Sequence, residues 1–117
     1  MLYTIIHNPR CSKSREALKL LDRSKRKYEI REYLKNPLDE NEIKEIQEKL
    51  WLSFIEMTRR WEDAFAQAWL SHDSSEADII KAMIANAKLI QRPIVYNDTS
   101  AVIGRPPEDI IPFLKKR

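Results

Sequence analysis

The chain has 117 residues, 43% of them hydrophobic and 33% charged, with a formal charge of +3 and an isoelectric point near 9.0. These are the proportions of one ordinary globular domain, long enough to bury a core without disulfides or a structural metal. The modest basic excess favours anionic ligands but makes no nucleic-acid-binding stripe. No apolar run reaches a membrane span and no secretory leader is visible, so a soluble, cytoplasmic protein is expected.

Leu2 to Ile6 is a short apolar run rich in β-branched and aromatic residues, which predicts a buried strand, and Asn8-Pro9 ends it in a loop. Cys11 follows. From Ser14 the apolar positions Ala17, Leu18 and Leu21 recur at helical spacing, placing Cys11 at or just before the N-terminus of an amphipathic helix. Tyr28 to Tyr33 alternates like a second strand, and strand, helix, strand reads as a right-handed βαβ unit. Asp39 and Glu42 then form a capping-box pattern, with Leu38 able to staple onto Ile43, and a helix should start there. Ser53 and Glu56 repeat that signature between Leu52 and Met57, predicting another helix. A third helical run from about Ser75 carries Ile79, Ile80, Met83 and Ile84. Pro93–Tyr96 and Ala101–Ile103 are short strands joined as a hairpin through Asn97-Asp98-Thr99-Ser100. A last helix follows Pro106-Pro107 and ends in Lys115-Lys116-Arg117, with Pro112 awkwardly about a turn inside it.

This order predicts an α/β, thioredoxin-like fold. A βαβ half at about 1–35 and a ββα half at about 92–117 build a mixed four-stranded sheet, with a helical insertion at about 38–90, all in one domain. Order alone does not give function.

The single cysteine cannot form an internal disulfide, so Cys11 is a structural buried thiol, a reactive thiol, or half of a transient mixed disulfide. A helix N-terminus favours the thiolate through unpaired N–H groups and the positive dipole end. Arg10, Lys13 and Arg15 surround Cys11 with cations, and the Ser12 and Ser14 hydroxyls can donate to the sulfur or to a bound oxyanion. His7 can tune the thiol, assist a proton transfer, or merely hydrogen-bond the loop backbone. His72, in a polar stretch, reads as solvated. Ser14 stands where a Cys-x-x-Cys site has its second thiol, so a resolving thiol has to come from outside. One cysteine and two distant histidines offer no metal site, and one glycine excludes a Gly-rich phosphate loop.

The motif His7-Asn8-Pro9-Arg10-Cys11-Ser12-Lys13-Ser14-Arg15 occurs with Arg92-Pro93-Ile94-Val95 and Ile103-Gly104-Arg105-Pro106-Pro107-Glu108. Together they resemble the arsenate reductase family of the glutaredoxin-coupled, thioredoxin-fold type, most of all its short housekeeping-type bacterial members. The resemblance spans nearly the whole chain. It implies that Cys11 attacks arsenate to form a thiol-arsenate adduct. Glutathione, a co-substrate rather than a bound cofactor, then releases arsenite, and glutaredoxin recycles the mixed disulfide. It further implies Arg59, Arg92 and Arg105 as oxyanion ligands, with Arg60 the alternative to Arg59, and Pro93 as a cis-proline facing the cysteine. Guanidinium forks suit a tetrahedral dianion. Two segments depart from the relatives: Trp51 stands where they commonly carry glycine, and Arg23–Lys27 replaces a glycine-bearing turn. Trp51, Trp61, Phe65 and Trp69 are expected to pack the insertion, although the last three could instead form an aromatic stripe for a partner. Two rival readings are a glutathione-linked thiol-disulfide oxidoreductase of the same fold and a non-enzymatic RNA polymerase-binding regulator. The regulator typically carries Cys-x-x-Cys, which Ser14 interrupts.

Overall fold

The computed structural model describes residues 2–115. Strand β1 (Tyr3–Ile6) is buried along its whole length, as its apolar, β-branched sequence requires of a central strand. It lies parallel to β2 (Tyr28–Arg31), with Tyr3 opposite Tyr28 and Ile6 opposite Arg31. Two strands, β3 (Ile94–Tyr96) and β4 (Ala101–Ile103), complete a four-stranded sheet in the order β2-β1-β3-β4, both new pairings antiparallel. The β3–β4 turn is closed by Asn97. Its side-chain oxygen accepts from the Thr99 and Ser100 N–H groups at 3.0 and 2.9 Å, a turn chemistry that needs no glycine.

Helix α1 (Ser12–Arg23) makes the parallel crossover. Its Ala17 and Leu21 are buried with Tyr3, Ile5, Val95, Ile110 and Phe113, and Tyr3 meets Phe113 edge-on at 5.8 Å. The helix ends without glycine because Lys25 takes the left-handed conformation, φ 64°. A 3-10 turn at Pro107–Asp109 follows β4.

Contacts divide the described residues between two compact units, one made of those up to Asn36 together with those from Arg92 onward, the other of Pro37–Gln91. In the second, α2 (Glu40–Leu50) starts at the expected capping box: Asp39 Oδ1 accepts from Glu42 N at 2.8 Å and Glu42 Oε1 from Asp39 N at 3.1 Å. It buries Ile43, Ile46 and Leu50 and stops at Trp51, which is left-handed with φ 59°. That conformation accounts for glycine being the usual residue at such a turn. A short α3 (Asp63–Gln67) precedes α4 (Glu76–Ala85), which Ser75 caps and which buries Ile79, Ile80 and Met83 while Ile84 stays half-exposed.

The helix expected from Ser53 and Glu56 does not form. Their capping hydrogen bonds are made, but they close one turn only. Beyond it, Thr58 bridges antiparallel to Ile90, the Arg59 N–H donates to the Leu89 carbonyl, and the Gln91 N–H donates to the Met57 carbonyl. Donors and acceptors that would extend a helix are satisfied across the chain instead. Trp51 and Trp69, expected to pack the insertion, are 89% and 93% exposed.

Helix α5 (Ile110–Lys115) closes the first unit. Pro112 falls within its first turn, where an N–H has no helical acceptor to lose. Lys115 lies in the last turn; Lys116 and Arg117 are outside the described residues. Gly104 donates its N–H to the Pro93 carbonyl at 2.8 Å, and a β-carbon there would stand 3.1 Å from both Ile110 Cγ2 and the Pro93 ring. Gly104→Ala should therefore destabilise the protein by about 1–3 kcal/mol, read as a lowered urea midpoint at unchanged slope.

Candidate active site

The site grows from the loop between β1 and α1. Cys11 is the N-cap of α1, extended at φ −93° and ψ 121°, so its side chain sits over the unpaired N–H groups of the first turn. Its own N–H donates to the Asn8 carbonyl and its carbonyl accepts from Arg15 N, both at 3.0 Å. Asn8 holds the loop from inside, its Oδ1 accepting from Arg10 N at 3.0 Å. Arg15 holds it from outside, donating from Nη1 to the Pro9 carbonyl at 2.8 Å. Ser14 is fully buried. Its hydroxyl accepts from Asn8 N at 3.1 Å and lies 2.6 Å from His7 Nδ1. The Ser14 hydroxyl therefore fastens strand end, loop and helix together.

Burial pushes the Cys11 thiol up, but the Ser14 and Lys13 N–H groups and the Arg92 guanidinium outweigh it, and the net displacement is downward. The N–H groups face the sulfur electrostatically without closing an ordinary cap hydrogen bond. A partly exposed thiol biased toward thiolate is a nucleophile.

His7 is 5% exposed. Burial is the main cause lowering its pKa; Arg15 adds to this and Glu32 opposes it. The folded state thus disfavours the imidazolium relative to the unfolded chain. Stability should be complete above the ordinary histidine value of 6.5 and be lost as pH falls through the lower, folded value. Urea midpoints of wild type should drop on acidification through that window, and the part due to His7 should be missing in His7→Gln.

Arg92 precedes β3 and Arg105 follows β4, so the hairpin brings both to its open end, and Arg92 acts on the Cys11 thiol. Arg105 Nη1 donates to the Arg92 carbonyl at 3.3 Å, which holds the two segments together. The bonds before Pro93 and before Pro106 are both cis; only the first was expected. Arg59 belongs to the second unit. Its guanidinium pairs with Glu62 at 3.0 Å, stacks over Trp61 at 5.2 Å, and is 12% exposed. Arg60 is exposed and lies 3.4 Å from His72 Nδ1. Arg59 is thus the more buried member of the pair.

Two further residues, Asn8 and Glu32, support the site. Asn8, expected to end β1 and part of the cysteine-loop motif, also closes the loop onto Arg10 N, and an Asn two residues before a backbone N–H it can bind is a recognisable loop signal. Glu32 had no local signal: parallel pairing of β1 and β2 alone brings it beside His7.

Comparison with known proteins agrees with this geometry. The ArsC family model matches residues 6–113. The chain is 42% identical to an uncharacterised protein of Escherichia coli K12, YfgD, over 92% of each chain. It is 39% identical to an arsenate reductase of Haemophilus influenzae, over 97% of this chain and all of the relative. The solved arsenate reductase of Vibrio cholerae superposes with a TM-score of 0.91 at 35% identity, covering 96% of this chain and 97% of that one. The fold is the thioredoxin-like α/β fold of these relatives, and among the described residues no helix is long and apolar enough to cross a membrane. A family model spanning nearly the whole chain, on a sheet and cysteine loop of this form, means that the protein belongs to the ArsC family.

Proposed function

We propose that the protein reduces arsenate to arsenite, with Cys11 as nucleophile and glutathione and glutaredoxin as electron donors in the cytoplasm, the whole chain acting as one thioredoxin-like domain. The observation that carries the reading is a thiol at a helix N-terminus, biased toward thiolate beside Arg92, in a chain with no second cysteine. Arg92 and Arg105 offer paired donors to an oxyanion. Arg59 has this role by resemblance alone.

Cys11 Sγ attacks As(V) and displaces one oxygen as water, forming a sulfur–arsenic bond. A glutathione thiol then attacks Cys11 Sγ; the sulfur–arsenic bond breaks and its electron pair passes to arsenic, which leaves as arsenite. Cys11 is left in a mixed disulfide with glutathione. A glutaredoxin thiol takes the glutathionyl group, restoring Cys11, and the glutaredoxin mixed disulfide is resolved by another glutathione. The sum is arsenate and two thiols to arsenite, one disulfide and water. The helix N-terminus and Arg92 lower the barrier to the first step by holding the thiolate and the dianion against each other's charge.

The test is arsenite formation by the purified chain with glutathione, glutaredoxin and a recycling system. Saturable turnover supports the reading. Exchange with a glutathione mixed disulfide, and none with arsenate, would replace it with the thiol-disulfide oxidoreductase.

A further inference from the structure

A cavity of about 240 Å³ opens against the strand end and loop that lead into Cys11. One wall is Pro9 and Arg10 from that loop; the other is Glu32, Leu34 and Lys35, following β2. The walls meet because β1 and β2 run parallel, and the His7 N–H extends their pairing by donating to the Arg31 carbonyl at 2.9 Å. The Lys35 and Asn36 N–H groups donate back to the Glu32 carbonyl, turning the chain so that Glu32 and Lys35 both line the opening.

The chemistry of this lining is specific. A cation stands on each wall, Arg10 and Lys35, with one carboxylate, Glu32, and between them an apolar surface from Pro9 and Leu34, the latter 45% exposed. Glu32 and Lys35 pair at only 3.7 Å and both reach solvent, so the pair is weak and open to exchange. A free oxyanion would be repelled by Glu32. A zwitterionic α-amino acid fits: its carboxylate to Arg10 and Lys35, its ammonium to Glu32, its methylenes on Leu34 and Pro9. The volume falls below the roughly 300 Å³ of a complete small-molecule site. It suits one end of a ligand whose remainder extends outside.

We propose that this cavity seats the zwitterionic glutamyl end of the small peptide thiol that resolves Cys11. The proposal rests on the functional reading above, because that reading requires an external thiol at this loop. Discrimination among thiols then comes from the pocket against the loop that leads into Cys11, separately from the arginines proposed to hold the oxyanion.

The test is titration of the whole chain with S-methylglutathione, which cannot react, read by calorimetry and by backbone amide shifts. Saturable binding is expected, with shifts at Arg10, Glu32 and Lys35. Glu32→Gln and, independently, Lys35→Gln should each weaken it roughly tenfold. An analogue lacking the α-amino group should bind wild type no more tightly than Glu32→Gln, a pattern that a general structural effect of the substitution would not produce. Unsaturable binding, shifts confined to another surface, or full affinity in Glu32→Gln would overturn the proposal. The measurement contains no arsenate. A chain that seats S-methylglutathione here but makes no arsenite keeps the pocket and loses the reductase reading; one that makes arsenite without saturable binding does the reverse.

Discussion

On the proposed mechanism, Cys11→Ser should abolish arsenite formation, a loss of roughly a thousandfold or more, while leaving the fold intact. A serine hydroxyl is not ionised near neutral pH, so the helix N-terminus and Arg92 have no thiolate to stabilise and the sulfur–arsenic bond cannot form. Nor can serine form the mixed disulfide with glutathione that remains once arsenite has left and that glutaredoxin resolves. Both halves of the cycle are lost together. Folding should not suffer, because Cys11 occupies an N-cap with its side chain making no cap hydrogen bond, and serine is among the preferred residues there. Thermal unfolding followed by circular dichroism should show a midpoint equal to or above that of wild type. Arsenite counted against a glutathione-only background provides the activity measure. Turnover in the variant above a few per cent of wild type would remove Cys11 from the mechanism.

What could be read from the residues and what could not divide along physical lines. The elements that depend on local chemistry were legible: β1 from its apolar run, α2 from the Asp39–Glu42 box, the hairpin turn from Asn97, and Cys11 at the start of α1 from the onset of helical periodicity. Where a distant segment competes for the backbone, local signals mislead. Ser53 and Glu56 make their capping hydrogen bonds, yet the antiparallel bridge from Thr58 to Ile90 takes the chain away after one turn. Hydrophobicity misled at Trp51 and Trp69, which sit in left-handed positions at the ends of α2 and α3 and are almost fully exposed. In the candidate site, the loop residues and arginines could be named from motif, but their electrostatics could not. The opposition of Glu32 and burial at His7, and the buried Ser14 bridge, arise only when β2 closes against β1 and α1 folds back over the loop.

Arg92→Leu should raise the Cys11 pKa and increase the KM for arsenate by about 10–100-fold. Arg92 is one of the groups that favours the thiolate, acting through its charge and through a hydrogen bond, so its removal shifts the balance toward the effect of burial. The sign follows from the titration. Below both pKa values the variant holds a smaller thiolate fraction than wild type and is alkylated more slowly by iodoacetamide; above both, the two rates converge. The rate profile should therefore keep its shape and move to higher pH. The Arg92 carbonyl that accepts from Arg105 belongs to the backbone and survives the substitution, so loss of the hairpin clamp does not confound the result. Arg92→Lys separates the two duties: an ammonium retains most of the attraction for the thiolate but cannot present a planar pair of donors. Its alkylation profile should stay near that of wild type while its arsenate KM rises toward that of Arg92→Leu. An unmoved alkylation profile in Arg92→Leu would show that the helix N-terminus alone activates the thiol. A normal arsenate KM in both variants would transfer oxyanion binding to other groups, because a dianion held by this guanidinium cannot lose it without loss of affinity.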